Sequence, residues 1–188
     1  MVINEKSLVQ RMKEAYKGWG YTVTVGSSEK WAIYTPNWMV QIDGQGNVPN
    51  AVLALIVLHM GELPERESAY RIYKIDTGLV VQKEVFAVVD AEIKKLVERA
   101  IQTGNFPQTI QRTKLMLGSC QVWQKEQDLG IYMMDPAYTR LIDSKHTRAV
   151  DDFIYAKGDI SSVYVRREIG AGEKEHIDHL AAMQWIES

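Results

Sequence analysis

The chain has 188 residues, of which 46% are hydrophobic and 24% are charged. These fractions are typical of a globular domain and exclude an intrinsically disordered or collagen-like chain. The 22 lysine and arginine residues against 24 aspartate and glutamate residues leave a formal net charge of −2. This balance gives no global attraction for nucleic acid or anionic lipid, so any nucleic-acid binding must come from a local patch.

Cys120 is the one cysteine of the sequence. A lone thiol excludes an intrachain disulfide framework and a structural zinc site with two or more thiolate ligands, and it suits a reducing compartment. The N-terminus shows no basic segment followed by an apolar one, and the longest apolar run, Ala51 to Leu58, is far shorter than the roughly 20 residues that span a bilayer. We therefore expect a cytoplasmic protein without membrane association.

The first quarter of the chain predicts one helix followed by three extended segments. Apolar side chains recur at spacings of three and four over residues 4–19, which is the period of an amphipathic helix. Residues 21–25 and 31–35 have β-type composition on either side of a Gly-Ser-Ser turn, which predicts a hairpin. A further extended stretch, Trp38 to Asp43, ends at a glycine-rich turn.

The segment Pro49 to Met60 contains the run Ala51 to Leu58, which is apolar on every side. Periodicity does not separate a buried helix from a buried strand here, but Pro49 suits a first helical turn and Gly61 suits a left-handed stop. We therefore predict a buried helix. Beyond it, residues 70–89 predict a second hairpin, and Asp90 to Gln102 predicts an amphipathic helix.

One pattern, Gly-x-apolar-Pro, ends both of these central helices. It occurs at residues 61–64 and 104–107, which lie 43 positions apart, and each copy follows a predicted hairpin and helix. The spacing favours an α+β fold of hairpin-plus-helix (ββα) units, with duplication of the unit as a hypothesis, plus an N-terminal and a C-terminal helix. We expect a single compact domain over residues 1–188, the alternative being two ββα-based subdomains at 1–107 and 108–188.

The C-terminal part predicts further strands and two helices. Strands are expected within residues 113–134, and Asp135-Pro136 is a strong helix start, with apolar side chains at helical spacing onward to Gly158. Residues 160–169 predict a last strand, and residues 173–187 predict a last helix.

Motifs for catalysis are mostly absent from the sequence. It holds no Walker A loop, no dinucleotide-binding glycine pattern, no Gly-x-Ser-x-Gly elbow and no His-Glu-x-x-His, so the commonest nucleotide, esterase and metalloprotease functions lose support. Cys120, where a strand meets a turn, is the candidate nucleophile. Such a thiol needs a histidine beside it, and a lone cysteine is more often a small packed hydrophobe.

Two histidines, His176 and His179, lie three residues apart on the predicted last helix and therefore on one face of it. Together with neighbouring carboxylates they are the candidate metal ligands. Catalytic zinc needs three protein ligands and a third is not evident, so a solvated acidic helix face is the alternative. We expect no tightly bound metal and no cofactor.

Aromatic residues are concentrated near the N-terminus. Six fall within 23 positions: Tyr16, Trp19, Tyr21, Trp31, Tyr34 and Trp38. Alternate residues of a strand share a face, so Trp31 and Ile33 point to one side while Ala32 and Tyr34 point to the other. Unless both faces of the sheet are covered, some of these rings are exposed and can anchor a partner or stack on a ligand. Trp31, Tyr34 and Trp38 are the candidate binding residues, at least one of them expected to be substantially exposed, and core packing is the alternative.

Basic residues of the C-terminal part form a candidate phosphate-binding patch. Its members are Arg140, Lys145 and Arg148 on the helix predicted after residue 135, with Arg166 and Arg167 on the last predicted strand. Ion pairing within the helix is the alternative, because three aspartates lie within one turn of these cations: Asp143, Asp151 and Asp152.

These patterns favour a non-enzymatic accessory or regulatory factor whose partner is another protein. The first alternative is a small hydrolase or transferase that uses Cys120 or the helix of His176 and His179. The second is single-stranded nucleic-acid binding through the N-terminal aromatic residues, which the net charge does not support.

Overall fold

The computed structural model of the chain describes residues 1–84, 92–127 and 130–167. Within these ranges, eleven β-strands form one antiparallel sheet with helices on both faces, which confirms the α+β class. The helices are α1 (Glu5–Lys17), α2 (Asn50–Met60), α3 (Glu92–Gln102) and the short α4 (Pro136–Thr139). The strands are β1 (Tyr21–Val25), β2 (Lys30–Tyr34), β3 (Trp38–Asp43), β4 (Ser68–Ile75), β5 (Gly78–Glu84), β6 (Gln108–Leu117), β7 (Cys120–Lys125), β8 (Ile131–Met134), β9 (Arg148–Val150), β10 (Phe153–Lys157) and β11 (Ser161–Arg166).

The order of strands across the sheet is β5-β4-β1-β2-β3-β11-β10-β9-β6-β7-β8. Strands β1, β2 and β3 form a meander, and β4 adds to its outer edge beside β1. The first and last thirds of the chain meet where β3 pairs with β11, with Val40 opposite Val163. How the chain divides into domains stays a prediction.

Helices α1 and α2 cover one face of the sheet. Leu8 and Met12 of α1 and Val52 and Ile56 of α2 are fully buried there, because their spacing places them on the helix sides that meet the strands. Asn4 caps α1 by accepting a hydrogen bond from the Ser7 amide at 3.0 Å. The strands contribute large side chains to the same core, including Trp31, Ile33, Trp38 and Val40.

Helix α3 covers the opposite face of the sheet. Its residues Ile93, Val97 and Ala100 recur at spacings of four and three, and they pack in one cluster with Met39 and Phe153. The alternation predicted for β2 is confirmed, since Trp31 and Ile33 belong to the first core while Ala32 and Tyr34 belong to the second.

The helix predicted from Pro49 to Met60 is confirmed as α2, but its burial on every side is wrong. Leu55 and His59 face the sheet, whereas Val57 is 39% exposed and Leu58 is 75% exposed. A helix in an outer layer meets the sheet on one side only, so half of a uniformly apolar run remains at the surface.

The helix predicted from Pro136 to Gly158 is wrong beyond its first turn. Helix α4 ends at Thr139, and residues 148–157 form strands β9 and β10 joined by a turn in which Asp151 has φ of +47°. Because this sheet is covered on both faces, apolar residues occur at both odd and even positions of its strands, and their spacings imitate those of a helix.

The ββα units and their duplication are not supported. Helix α2 follows the three strands of a meander rather than a hairpin. Both Gly-x-apolar-Pro patterns do end helices, with Gly61 at φ of +92° and Gly104 at φ of +97°. The pattern is thus a shared left-handed helix stop. The helix predicted over residues 173–187 lies outside the described residues.

Among the described residues, no helix combines the length and the apolar character needed to cross a membrane.

Candidate binding site

The structure places two of the three predicted binding residues in the core. Trp31 and Trp38 are each 2% exposed and lie under α1 and α2, so their rings cannot contact a partner in this fold. Tyr34 is half-buried beside α3 and lines a surface cleft. The expectation of an exposed ring fails for both tryptophans because helices cover both faces of the sheet.

The exposed ring of this region is Trp19, which was not among the predicted binding residues. Its side chain is 89% exposed, in the short connection between α1 and β1. The N–H groups of Gly18 and Gly20 both donate to the Ala15 carbonyl, at 3.0 and 2.7 Å. These two hydrogen bonds close the C-terminal end of α1, and Trp19 lies between their donors. The Arg71 guanidinium donates to the Trp19 carbonyl at 3.2 Å. The backbone of Trp19 is therefore fixed while its ring faces solvent.

Trp19 lies at the rim of a cavity of about 440 Å³, here called the Trp19 cleft. Its floor is a row of directly opposed residues on adjacent strands: Arg71 on β4, Thr22 on β1 and Tyr34 on β2. Its walls are Ile93 and Leu96 of α3, Phe153 and Arg166 of the β10–β11 pair, the β2–β3 turn at Thr35 and Pro36, and Glu84 at the end of β5. This volume lies within the range of small-molecule and side-chain pockets.

Two arginines give the cleft its charge. Among the described residues, neither Arg71 nor Arg166 forms an ion pair, and Glu84 is the one acidic residue of the lining. Arg71 also lies over the Tyr73 ring, at 5.6 Å from its centroid, which restrains the guanidinium. The site combines an aromatic and aliphatic surface with two cations.

A second aromatic cluster lies behind the cleft, between α1, α2 and β1. The His59 ring stacks on Tyr16 with centroids 3.9 Å apart, and its Nδ1 is 2.9 Å from the Tyr21 hydroxyl. Burial lowers the pKa of His59, and the positive charge of Lys13 lowers it further. Burial also raises the pKa of the Tyr21 hydroxyl well above its usual value, with Tyr16 adding to the effect. Both shifts keep the pair uncharged, so the hydrogen bond joins a neutral phenol to a neutral imidazole.

This cluster predicts a stability that falls in mild acid. Below a pH of about 6.5, His59 becomes protonated in the unfolded chain, whereas in the folded protein it stays neutral to a lower pH. Protonation therefore stabilises the unfolded state, and the free energy of unfolding falls by at most about 1.4 kcal/mol per pH unit. The contribution of neutral His59 to the stability of the fold is complete above that pH and decreases as the pH falls. Urea unfolding between pH 7.5 and 5.5 should therefore show a flatter pH dependence for His59→Phe than for the wild type. An unchanged slope in His59→Phe would refute this role.

The candidate nucleophile Cys120 is 4% exposed, at the first position of β7. A substrate would reach this thiol only if β7 moved, so the position does not support nucleophilic catalysis. His176 and His179 lie outside the described residues. Within the ranges that the structure describes, no group of three or more histidine, cysteine, aspartate and glutamate side chains is arranged to hold a metal ion.

The basic residues of the C-terminal part do not share a helix. Arg148 lies on β9 and Arg166 lines the Trp19 cleft, whereas Arg167 pairs with Asp152 at 2.7 Å. Arg140 and Lys145 flank Asp143 in the segment between α4 and β9. The predicted intrahelical pairing is therefore wrong for these two cations, which form no ion pair among the described residues.

No protein-family model, curated protein or solved structure matches the chain.

Proposed function

We propose that this chain is a non-enzymatic binding protein that engages a protein partner through the Trp19 cleft. The observation that carries the proposal is the Trp19 ring, which is 89% exposed on a fixed backbone beside a preformed cavity. Tryptophan, tyrosine and arginine are the residue types enriched at the energetic centres of interfaces. Trp19, Tyr34, Arg71 and Arg166 bring all three types to one cleft.

The lining also favours a particular partner chemistry. Ile93, Leu96 and Phe153 offer an apolar surface of the kind that receives an inserted side chain. Arg71 and Arg166 outnumber Glu84, and a guanidinium binds a carboxylate through paired hydrogen bonds. The partner segment therefore presents an apolar anchor with an aspartate or glutamate beside it. Because the Trp19 backbone is held before binding, little conformational entropy is lost there on association.

Photo-cross-linking in the native cell tests the proposal. A photoreactive benzoylphenylalanine in place of Trp19 should yield one dominant protein adduct, identified by mass spectrometry. The matched control is the same residue in place of Phe106, which is 81% exposed and lies outside the cleft. With the partner purified, Trp19→Ala should weaken binding by about 30-fold or more, which is the effect of a hot-spot residue.

Several outcomes would contradict the proposal. Equal capture at positions 19 and 106, a cross-link within the chain itself, or unchanged affinity in Trp19→Ala would each exclude the cleft as the interface. An adduct that nuclease removes would favour single-stranded nucleic-acid binding, and its affinity should then fall steeply with salt.

A further inference from the structure

A second cavity, of about 740 Å³, lies away from the Trp19 cleft and is here called the basic cleft. The start of α1 forms one side, β6 and β7 form another, and the segment from α4 to β9 closes the third. Three cations line it, Arg112 from β6 and Arg140 and Lys145 from the segment between α4 and β9. The fold therefore gathers positive charge at one place in a chain whose net charge is negative.

The cations of the basic cleft are not neutralised by neighbours. None of the three forms an ion pair among the described residues, and Asp143 is the one carboxylate of the lining. The Nε of Arg112 donates to the Gln121 side chain at 3.1 Å, which fixes the orientation of the guanidinium. An arginine held by a neutral partner keeps its full charge and its terminal donors for an anion.

The inner wall of the basic cleft is apolar. Ile110, Ile142 and Trp123 form it, while Ser7 and Ser144 are among the polar residues of the lining. Trp123 is only 6% exposed, and its indole N–H has no acceptor within the described residues. A buried donor without an acceptor costs free energy.

We propose that the basic cleft binds a phosphate-bearing ligand of mononucleotide size. Arg112, Arg140 and Lys145 would hold the phosphate through charge-assisted hydrogen bonds, as guanidinium and ammonium groups do. The isoleucines and Trp123 would contact the heterocyclic body of the ligand. The cavity volume lies in the range of small-ligand sites. A free nucleotide and a nucleotide unit of single-stranded nucleic acid both carry the phosphate and the heterocyclic base that this cleft would recognise.

Calorimetric titration of the full chain tests this site with adenosine monophosphate, inorganic phosphate and adenosine. Adenosine monophosphate and inorganic phosphate should bind. Adenosine should bind at least about tenfold more weakly than its monophosphate because it lacks the charged contacts. The double variant Arg140→Gln/Lys145→Gln should lose at least about tenfold in affinity for adenosine monophosphate. Lys74→Gln/Lys95→Gln removes the same charge from exposed positions outside the basic cleft and should bind as the wild type does.

An oligoadenylate titration identifies the source of the phosphate. Tighter binding of the oligonucleotide with a steep salt dependence assigns the site to nucleic acid, whereas equal affinity per nucleotide assigns it to a free nucleotide. The Trp19→Ala variant should keep wild-type affinity for adenosine monophosphate, so failure of the Trp19 proposal leaves this one standing. Absence of binding by all the phosphate probes at millimolar concentration would overturn the proposal, as would full affinity in the Arg140/Lys145 double variant.

Discussion

Replacing Trp31 or Trp38 with alanine is expected to lower the free energy of unfolding by about 3 to 5 kcal/mol. Each ring is 2% exposed and packs between the sheet and the α1–α2 layer. Truncation removes the buried ring and leaves a cavity that the surrounding strands only partly fill. For a chain of this length the melting temperature falls by roughly 2 to 4 °C per kcal/mol, so a decrease of about 6 to 20 °C should appear in thermal melts.

Trp19→Ala is the matched control for these two variants, since it removes the same side chain from the surface. Its free energy of unfolding should stay within about 0.5 kcal/mol of the wild type. Similar melting temperatures for all three alanine variants would show that the division into two core tryptophans and one exposed tryptophan is wrong.

The elements that were predicted correctly carry their signal in local chemistry. The helix α2 follows from a proline at its start and a glycine in the left-handed conformation at its end, and both act through the backbone of adjacent residues. The two-sided alternation of β2 follows from the pleat of a single strand. Neither requires knowledge of what lies across the sheet.

The errors arise where the environment of a segment depends on distant parts of the chain. Residues 148–157 become strands because β11 and β6 pair with them, and that pairing is set by segments on both sides of this stretch. The Trp31 and Trp38 rings are buried because α1 and α2 cover the sheet face on which both rings lie, which periodicity within one strand does not reveal.

Trp19 did carry a local signal. It lies between Gly18 and Gly20, and a large ring between two glycines at a helix end occupies a turn, where side chains commonly face solvent. The cleft beside it was not predictable, because its lining residues come from β1, β2, β4, β5, α3, β10 and β11. The basic cleft is similar. The sequence patterns indicated Arg140 and Lys145 but not Arg112, which reaches the cleft from β6. The loss of the carboxylate partners expected for Arg140 and Lys145 depends on the chain leaving α4 after one turn.

Gly20→Ala is expected to destabilise the fold by about 2 to 5 kcal/mol, combining left-handed strain with overpacking. Gly20 has φ of +86°, and a Cβ at this position would lie 2.7 Å from both the Ile72 carbonyl oxygen and the Tyr73 Cβ. Both neighbours belong to β4, which pairs with β1 immediately after Gly20. Relief of the clash requires β4 to move away from β1 at the floor of the Trp19 cleft, so chemical denaturation should show a lower free energy of unfolding.

Two other glycines separate the contributions to this effect. Gly61 has φ of +92° with nothing within 4 Å of its added Cβ, so Gly61→Ala should cost only the conformational strain, about 1 to 2 kcal/mol. Gly46 is equally open and lies outside the left-handed region, so Gly46→Ala should stay within about 0.5 kcal/mol of the wild type. The excess loss in Gly20→Ala over Gly61→Ala then measures the contact with β4. Equal losses in these two variants would show that β4 yields without cost and that close packing does not hold the Trp19 backbone in place.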